Sequence, residues 1–395
     1  MFDAGWFCHL ADIYIIGMAI VEVFLWVLII AVFYCYVGYG LIVLLYRLFK
    51  REAEILNGSF NLPDVTLIIP SYNEEAVLHH KIENVLSLNY PREKLKVIVA
   101  AHGSNDSSIQ ILSQYKQVQI VFLPERKGKA AALNHSMEQV SSPVVVFSDA
   151  NSLLNKESIM NLIKHFQDKK IGGVSGEKKI IRSSGIGTAE GFYWQYESLM
   201  KQLDASFYTV VGAAGELFAM RTNLYKKLDE DVLLDDFVLS INVCFQGYRI
   251  AYEPNAYAAE AASLSLADEK IRKIRIAAGA FQSLKKMNIQ RVLTNAKLAF
   301  QFFSRRWLRW VVCPVAIILL LVLNVILVAA IQGFIYKILL IAQVLFYIAA
   351  LIGWLLIKKD KTFVPATIPF YFLFMNYCML LGMIKFYTNK HSVLW

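Results

Sequence analysis

The chain has 395 residues, of which 57% are hydrophobic and 18% are charged. Soluble domains contain a smaller apolar share, so a purely soluble protein is excluded and part of the chain must lie in lipid. The 40 basic and 31 acidic residues give a formal net charge of +9. There is no zinc-finger spacing and no basic stretch interleaved with aromatic residues, which argues against a nucleic-acid partner.

The apolar residues are concentrated at the two ends of the chain. Residues 13–47 are nearly uncharged, and we expect one long membrane helix from about 21 to 48, preceded by an interfacial segment. Three further spans are predicted near 310–331, 334–357 and 364–385. Residues 300–310 mix aromatic residues with arginine, a pattern typical of an amphipathic helix in the headgroup layer.

Basic residues flank these hydrophobic segments, as at Arg47, Lys50 and Arg51 and in the loop 358–361. Positive charge beside a span marks the cytoplasmic side. We therefore expect a multi-pass protein of the plasma or inner membrane, with its central domain in the cytosol. The predicted parts are an N-terminal transmembrane anchor (1–48), a cytosolic domain (49–290), an interfacial helix (291–310) and a region with three spans (311–395).

The central domain alternates short β-branched runs with helical patterns. The predicted strands are 65–70, 96–101, 118–123, 143–149 and 248–254. This alternation is typical of a parallel, doubly wound sheet. Such sheets bind ligands beyond the carboxyl ends of their strands, and polar residues follow three of these strands, at 71–75, 102–106 and 149–151.

Asp149 and Asn151 stand at the end of one predicted strand. Because side chains alternate along an extended chain, residues two apart point into the same concavity. Their oxygens suit Mg²⁺ or Mn²⁺, which share the rest of their coordination shell with phosphates. Taken alone, however, this tripeptide more often forms a strand-end turn capped by Asp and Asn.

Six landmarks occur in order along the chain. They are Pro70-Ser71-Tyr72-Asn73-Glu74-Glu75, Gly103-Ser104-Asn105-Asp106, Lys127-Gly128-Lys129 with Ala132-Leu133-Asn134, Asp149-Ala150-Asn151, Leu234-Asp235-Asp236, and Arg272 to Arg275. In this ordered set the chain resembles membrane-bound family 2 glycosyltransferases, the group that includes cellulose, chitin, hyaluronan and poly-N-acetylglucosamine synthases. The resemblance covers nearly all of the chain. It implies an α/β, Rossmann-like GT-A domain that binds a nucleotide-sugar, with one N-terminal and three C-terminal transmembrane helices.

The resemblance also implies a donor site. Tyr72 and Glu74 are expected near the nucleotide base and ribose, and Lys129 near the diphosphate, although an exposed basic turn would explain Lys129 equally well. Asp149 is expected to hold the metal at the departing diphosphate. Arg275 is the terminal arginine of a family motif that can hold a diphosphate.

Asp236 aligns with the catalytic base of the family. In an inverting transfer the acceptor hydroxyl attacks the anomeric carbon and must lose its proton. A carboxylate is needed to take up that proton. Asp235 is expected only as a helper, and a solvated acidic loop is the alternative for Asp235 and its acidic neighbours.

Gly215, Glu216 and Trp194 look like acceptor-side residues in this family. Gly215 belongs to a glycine-containing segment that allows close backbone approach, and Trp194 to an aromatic segment expected to line the membrane interface. Ordinary helix packing is the alternative for Trp194. At the position of Glu216 the family leads us to expect a small residue.

Two positions depart from the family pattern. His102 replaces the aspartate that usually precedes the Gly-Ser-Thr-Asp turn, although a neutral imidazole can still accept one hydrogen bond. The usual Gln-x-x-Arg-Trp motif is reduced to residues 272–276, which keep the arginine and lose the tryptophan. The lost tryptophan weakens the case for a processive polymerase.

The leading hypothesis is an inverting, Mg²⁺- or Mn²⁺-dependent transfer from a nucleotide-diphosphate sugar, expected to be a UDP-sugar, to a growing polysaccharide or glycan at the cytoplasmic membrane face. The alternative is a single addition to a lipid acceptor, such as a polyprenyl phosphate or a ceramide-like lipid. A third hypothesis, a non-catalytic membrane transport or structural protein, has His102 in its favour. Membrane lipids are expected partners, and the sequence identifies no partner subunit.

Overall fold

A computed structural model describes residues 4–49, 61–181 and 185–388. Lys50 and Arg51, part of the basic cluster used to orient the chain, lie outside the described residues. Within these ranges the chain forms an α/β domain joined to four helices that are long and apolar enough to cross a membrane. The prediction of one N-terminal and three C-terminal spans is therefore confirmed.

The N-terminal membrane helix is continuous. Helix α1 (Ala4–Phe33) passes through a π-helical stretch (Tyr34–Gly38) into α2 (Tyr39–Phe49). The apolar span within it is Asp12–Phe49. The residues predicted to form a separate interfacial segment thus belong to the same helix as the span.

The central sheet contains eight strands in the described part of the chain. Their bounds are β1 (Val65–Pro70), β2 (Leu95–Ala100), β3 (Val118–Val121), β4 (Val144–Phe147), β5 (Ser152–Leu154), β6 (Ile171–Ile181), β7 (Phe218–Arg221) and β8 (Arg249–Ala261). Their spatial order is β3-β2-β1-β4-β7-β6-β8-β5. Along β1, Leu67 and Ile69 join the core on one face of the sheet and Ile68 joins the core on the other, as the period of two requires.

The predicted parallel sheet is found in only part of the structure. β1 pairs in parallel with β2 and β4, and β2 pairs in parallel with β3. β7, however, is antiparallel to both β4 and β6, and β5 is antiparallel to β8. The five strands predicted from the sequence all run in one direction, because β4 and β6 are both antiparallel to β7 and β8 is parallel to β6. The antiparallel strands β5 and β7 were not among those predicted.

Helices pack on the sheet and connect it to the membrane helices. Their bounds are α3 (Glu75–Leu86), α4 (Ser108–Ser113), α5 (Lys129–Met137), α6 (Ser158–Ile163), α7 (Ile186–Phe207), α8 (Asp235–Phe245), α9 (Leu266–Lys286), α10 (Ile289–Leu293) and α11 (Ala296–Phe302). The C-terminal membrane helices are α12 (Cys313–Ile331), α13 (Phe334–Ile357) and α14 (Val364–Tyr387). They match the three spans predicted from the sequence.

The segment predicted as an interfacial helix, 291–310, leads directly into the membrane. It includes α11 and most of a π-helical stretch, Phe303–Val312, that continues into α12. Arg305 in this stretch is buried, and its Nε lies 3.2 Å from Asp204 Oδ2 on α7. The segment therefore anchors α7 to the first C-terminal span through buried charge. The boundaries of this segment and of the other parts predicted from the sequence remain predictions.

The loop between α13 and α14 lies against the central domain. A Cβ atom added to Gly185, just before α7, would come within 2.7 Å of Asp360 Oδ1. Gly185 has a φ of +63°, a conformation that L side chains rarely adopt. The α13–α14 loop and the central domain are thus neighbours in space.

Candidate active site

A cavity of about 530 Å³ opens beyond the carboxyl ends of β1 and β4. Most of the site residues predicted from the sequence line it: Glu74, Lys129, Asp149, Asn151, Gly215, Glu216, Asp235, Asp236 and Arg275. We call it the donor cavity. The structure thus gathers side chains from five separate landmarks at the edge of the sheet where ligands bind in such folds.

Lys129 lies between two carboxylates in the donor cavity. Its Nζ is 2.8 Å from Asp149 Oδ1 and 3.3 Å from Asp235 Oδ2. Burial disfavours the ammonium, but the two carboxylates outweigh it and raise the pKa of Lys129 above its usual value. Lys129 is therefore a permanent positive charge here. Gly128, with a φ of +88°, makes the turn that starts α5 at this lysine.

The turn that carries Asp149 and Asn151 is held by Lys81. This lysine on α3 is fully buried, and its Nζ donates to Ser148 Oγ at 2.8 Å and to the carbonyl of Ser152 at 2.5 Å. Burial lowers the pKa of Lys81 to about 7. Sequence reasoning missed this residue, because a lysine on a helix normally faces solvent.

Asp149 and Asn151 present oxygens that fit a divalent cation. Lys129 contacts Oδ1 of Asp149, and Asn151 donates its Nδ2 to Glu260 Oε1 at 2.9 Å, so Asp149 Oδ2 and Asn151 Oδ1 are not used in these bonds. Among the described residues, no group of three His, Cys, Asp or Glu side chains could hold a metal alone. Mg²⁺ and Mn²⁺ need only one or two such ligands when phosphates complete the shell.

Asp236 is the second residue of α8 and is largely enclosed. Its Oδ1 accepts a hydrogen bond from the Phe237 N–H at 2.8 Å. A Cβ at Gly215 would lie 3.3 Å from its Oδ2, so this glycine leaves the space in front of the carboxylate. Burial and the neighbouring charge of Asp235 raise the pKa of Asp236 to about 7. Asp236 can therefore take up a proton near neutral pH.

A second cavity, of about 190 Å³, lies on the other side of Asp236. Its lining includes Trp194, Glu216, Asp236, Arg306 and Trp310. We call it the inner cavity. Asp236 and Glu216 line both cavities, so the carboxylate of Asp236 stands at their boundary.

Glu216 is not free to act as a base. Its carboxylate forms an ion pair with Lys178, whose side chain is 1% exposed and also pairs with Glu260. Burial alone would raise the pKa of Glu216, but Lys178 lowers it to about 2. Sequence reasoning did not select Lys178 or Glu260. The available signal was a charged residue within an otherwise buried strand.

Trp194 and Arg272 line the inner cavity, and Arg272 also lines the donor cavity. The Trp194 ring centroid lies 4.9 Å from Lys178 Nζ and 5.5 Å from Lys273 Nζ. Arg272 is engaged by buried carboxylates, Glu190 and Glu269. Arg275, one helical turn away, forms no ion pair in the described part of the chain and faces the donor cavity.

Tyr72 and His102 lie outside the lining of the donor cavity. The Arg126 guanidinium stacks 3.7 Å from the Tyr72 ring centroid. His102 is buried, with Nε2 3.2 Å from His135 Nδ1 on α5. Burial, aided by His135 and Lys127, lowers the pKa of His102 to about 4. The imidazole is therefore neutral at physiological pH, as expected for an acceptor at this position.

A third cavity extends from the inner cavity towards the membrane helices. It measures about 350 Å³ and is lined mainly by aromatic and apolar side chains of α7 and α14, including Phe192, Tyr371 and Phe372. We call it the membrane groove. Tyr193 and Arg309 line both it and the inner cavity. The three cavities thus follow one another from the sheet edge to the membrane helices.

Comparison with known proteins agrees with this arrangement. Residues 66–229 match the family described as glycosyl transferase family 2. The chain thus contains a family 2 glycosyltransferase domain, and the fold of this domain is of the GT-A type. The match favours an enzyme over the hypothesis of a non-catalytic transport or structural protein. Asp236 and Arg275 lie beyond the matched residues, so the match does not test the roles expected for them.

Two relatives match part of the glycosyltransferase. A poly-beta-1,6-N-acetyl-D-glucosamine synthase of Staphylococcus aureus strain COL is 31% identical over 208 residues, 49% of each chain. The probable glycosyltransferase YdaM of Bacillus subtilis strain 168 is 27% identical over 211 residues, 49% of this chain and 50% of YdaM. The match thus spans about half the length of these relatives.

A solved structure shows the same fold over nearly the whole chain. The mannosyltransferase PcManGT from Pyrobaculum calidifontis, determined in complex with GDP-Man and Mn²⁺, superposes with a TM-score of 0.72. The alignment covers 94% of this glycosyltransferase and 100% of the mannosyltransferase, at 20% identity. The fold of the α/β domain with its membrane helices is therefore shared with a known transferase.

Proposed function

We propose that this glycosyltransferase moves a sugar, with inversion, from a nucleotide-diphosphate donor to a growing polysaccharide or glycan at the cytoplasmic membrane face. The proposal rests on the position of the Asp236 carboxylate. Its carboxylate stands between the donor cavity, which holds Asp149 and Arg275, and the inner cavity, which leads towards the membrane. A base at this boundary can reach an acceptor hydroxyl while the donor lies on the other side.

In the proposed reaction, Asp236 takes the proton of an acceptor hydroxyl. The acceptor oxygen forms a bond to the anomeric carbon, and the bond from that carbon to the diphosphate oxygen breaks. The nucleoside diphosphate leaves with the bonding electrons, and attack from the opposite face inverts the anomeric centre. The pKa of Asp236, about 7, matches a group that must accept and release a proton near neutral pH.

Two positively charged side chains of the donor cavity can neutralise the charge on the departing diphosphate. Arg275 forms no ion pair in the described part of the chain, although Asp235 and Asp149 act on it at longer range, so its guanidinium is available to the phosphates. Lys129 is held in place by Asp149 and Asp235. A bound Mg²⁺ or Mn²⁺ would add Lewis-acid stabilisation, with Asp149 and Asn151 as its protein ligands. In PcManGT the same fold accommodates GDP-Man and Mn²⁺.

The residues on the acceptor side favour a glycan as the acceptor, with a lipid as the second candidate. The S. aureus relative is named a poly-beta-1,6-N-acetyl-D-glucosamine synthase, and aromatic walls such as Trp194 and Tyr193 suit the apolar faces of sugar rings. The membrane groove, however, is mostly apolar and joins the inner cavity beside Arg309. A lipid acceptor with an anionic head, such as a polyprenyl phosphate, is therefore the second candidate.

The proposed orientation is cytosolic for the α/β domain. Basic residues flank the spans on the side of this domain. The contact of Gly185 with Asp360 supports the same side for the α13–α14 loop. Surrounding membrane lipids are the proposed partners of the four apolar helices.

Product analysis tests the proposal. The purified protein in lipid nanodiscs would be incubated with Mn²⁺ and radiolabelled UDP-N-acetylglucosamine, other UDP-sugars or GDP-mannose, with Asp236→Asn as the inactive control. A ladder or high polymer supports glycan synthesis, and a single chloroform-soluble product in nanodiscs that contain polyprenyl phosphate supports lipid transfer. Absence of transfer from every donor, in protein that still binds the nucleotide, would contradict both.

A further inference from the structure

The amide of Asn151 is held by a residue on a distant strand. Its Nδ2 donates to Glu260 Oε1 at 2.9 Å. The contact follows from the sheet, because β5 and β8 pair antiparallel with Ser152 opposite Glu260. The residue just before β5 is therefore brought beside the carboxylate of Glu260, although the two residues are 109 positions apart in the chain.

This contact decides which end of the Asn151 amide is left available to a cation. A carboxylate has two equivalent oxygens, so it can offer an oxygen to a cation in either orientation. An amide has one oxygen and one NH₂ group, and the NH₂ group cannot bind a cation. An ionised glutamate only accepts hydrogen bonds. Glu260 therefore engages the Nδ2 end of Asn151 and leaves Oδ1 on the opposite side.

Glu260 is itself fixed by a buried charge. Lys178 pairs with its Oε2, and the same ammonium pairs with Glu216. The side chain of Lys178 is 1% exposed and that of Glu260 is 14% exposed. β6 and β8 are neighbours, with Lys178 opposite Ala258, so the pairing belongs to the sheet and does not depend on a mobile loop. The acceptor that meets Asn151 is thus rigidly placed.

We propose that Glu260 is a positioning residue that turns the Asn151 amide oxygen towards the divalent cation bound with the donor diphosphate. The inference rests on the proposed function, since it assumes that Asp149 and Asn151 are the metal ligands. It explains how an asparagine at position 151 can act as a metal ligand. Partners of metal ligands commonly change metal affinity by about 10- to 100-fold when they are removed.

A simpler effect must be separated from this one. Removing Glu260 also deletes a negative charge near the cation, which weakens metal binding whatever residue stands at position 151. Orientation, in contrast, matters only while that residue is an asparagine. Replacing Asn151 by aspartate removes the need for orientation, so the same Glu260 substitution tested in both backgrounds distinguishes the two effects.

The experiment measures Mn²⁺ binding directly. The full-length protein in detergent, saturated with UDP or, in a parallel series, GDP, would be titrated with Mn²⁺ while free Mn²⁺ is followed by electron paramagnetic resonance. The variants are Glu260→Gln, Asn151→Asp and the double variant. Glu260→Gln preserves shape, and its new amide can offer NH₂ to Asn151 and so favour the inverted orientation. Thermal unfolding of each variant checks folding, and Glu260→Ala is the second substitution in both backgrounds.

We expect Glu260→Gln to raise the Mn²⁺ dissociation constant by about 10-fold in the Asn151 background and by less than about twofold when Asn151→Asp is present. An equal loss in both backgrounds, for both Glu260 substitutions, would show a charge effect alone and overturn the positioning role. An unchanged constant in the Asn151 background would also overturn it. Asp149→Ala is the separate control: if it leaves Mn²⁺ binding intact, the proposed metal site itself fails, and the inference fails with it.

Discussion

Lys129 Nζ lies 2.8 Å from Asp149 Oδ1, so a lysine at the start of α5 neutralises the carboxylate that follows β4. The same ammonium reaches Asp235 at the start of α8. One cation thus connects the proposed metal ligand to the acidic pair that contains the proposed base. Metal dependence, proton transfer and diphosphate binding are consequently coupled through neighbouring charges, and each can be tested separately.

Activity is expected to require a divalent cation and to be nearly abolished by Asp149→Asn. The amide keeps the shape of the side chain but lowers the charge that holds the cation and Lys129. The measurement is transfer rate after chelation and after addition of Mn²⁺ or Mg²⁺. Asp168→Asn is the matched control, because Asp168 is an exposed carboxylate paired with Arg249 and does not line the donor cavity. Full activity in excess chelator would refute the metal requirement.

Asp236→Asn should lower the transfer rate by about 100- to 10,000-fold, the usual contribution of a general base. Nucleotide affinity should change little, because the base acts on the acceptor hydroxyl and not on the donor. Single-turnover rates and calorimetric binding of the nucleoside diphosphate would separate the two quantities. A variant that is folded but has lost donor affinity would argue that Asp236 belongs to the donor site.

The pH dependence of kcat/KM should report the ionisation of Asp236. A base must be ionised to act, so kcat/KM should rise with pH through about 7 and level off above it. Asp235 raises the pKa of Asp236 by charge repulsion. Asp235→Asn should therefore move the midpoint to lower pH in whatever activity remains. A midpoint that stays in place or moves to higher pH would contradict the assignment.

Arg275→Ala and Arg272→Ala should have different effects. Arg275 faces the donor cavity, so its removal should weaken binding of the nucleoside diphosphate as well as turnover. Arg272 also lines the donor cavity, but its guanidinium is engaged by Glu190 and Glu269, whose side chains are 1% and 0% exposed. Its removal deprives the buried Glu190 of this ion pair and leaves Glu269 with Lys273 and Tyr371, which costs about 3 kcal/mol of stability. Thermal unfolding in detergent and nucleotide titrations of both variants would compare them. The reverse pattern would exchange their roles.

The α13–α14 loop should share the cytoplasm with the α/β domain, while the turn between α12 and α13 lies outside. In a variant without native cysteines, a single cysteine at Gln332 should react with an impermeant maleimide added to intact cells. A cysteine at Lys359 should react only after permeabilisation, because the neighbouring Asp360 lies against Gly185 of the domain. Labelling of the Lys359 variant from outside would invert the topology.

Much of the architecture could be predicted because it depends on local patterns. The four spans are long apolar runs, and the first strands alternate with helices, so their approximate bounds follow from periodicity. The polar residues after β1 and β4 were placed at the donor cavity by the same reasoning. Strands β5 and β7 were not predicted, because runs of three and four residues carry too little periodicity to be recognised.

The site was predicted in part. Asp149, Asp235, Asp236 and Arg275 were expected and now lie in one cavity. Lys81, Lys178 and Glu260 were not expected, because a lysine or glutamate in the sequence is ordinarily a solvated side chain. Their burial depends on partners supplied by other strands and helices. The contrast between Arg272 and Arg275 arises in the same way, because only one of the two faces buried acids.

The sequence by itself determined the class of protein: apolar runs long enough to cross a membrane, a domain of alternating strands and helices, and ordered motifs that resemble those of family 2 glycosyltransferases. Only the tertiary structure decided which charges meet. The pairing of Lys129 with Asp149, the hold of Glu260 on Asn151, and the place of Asp236 between two cavities all join residues far apart in the chain. The physical reason is that hydrophobic periodicity is a local property, whereas the burial and pairing of a charge depend on every element that packs around it.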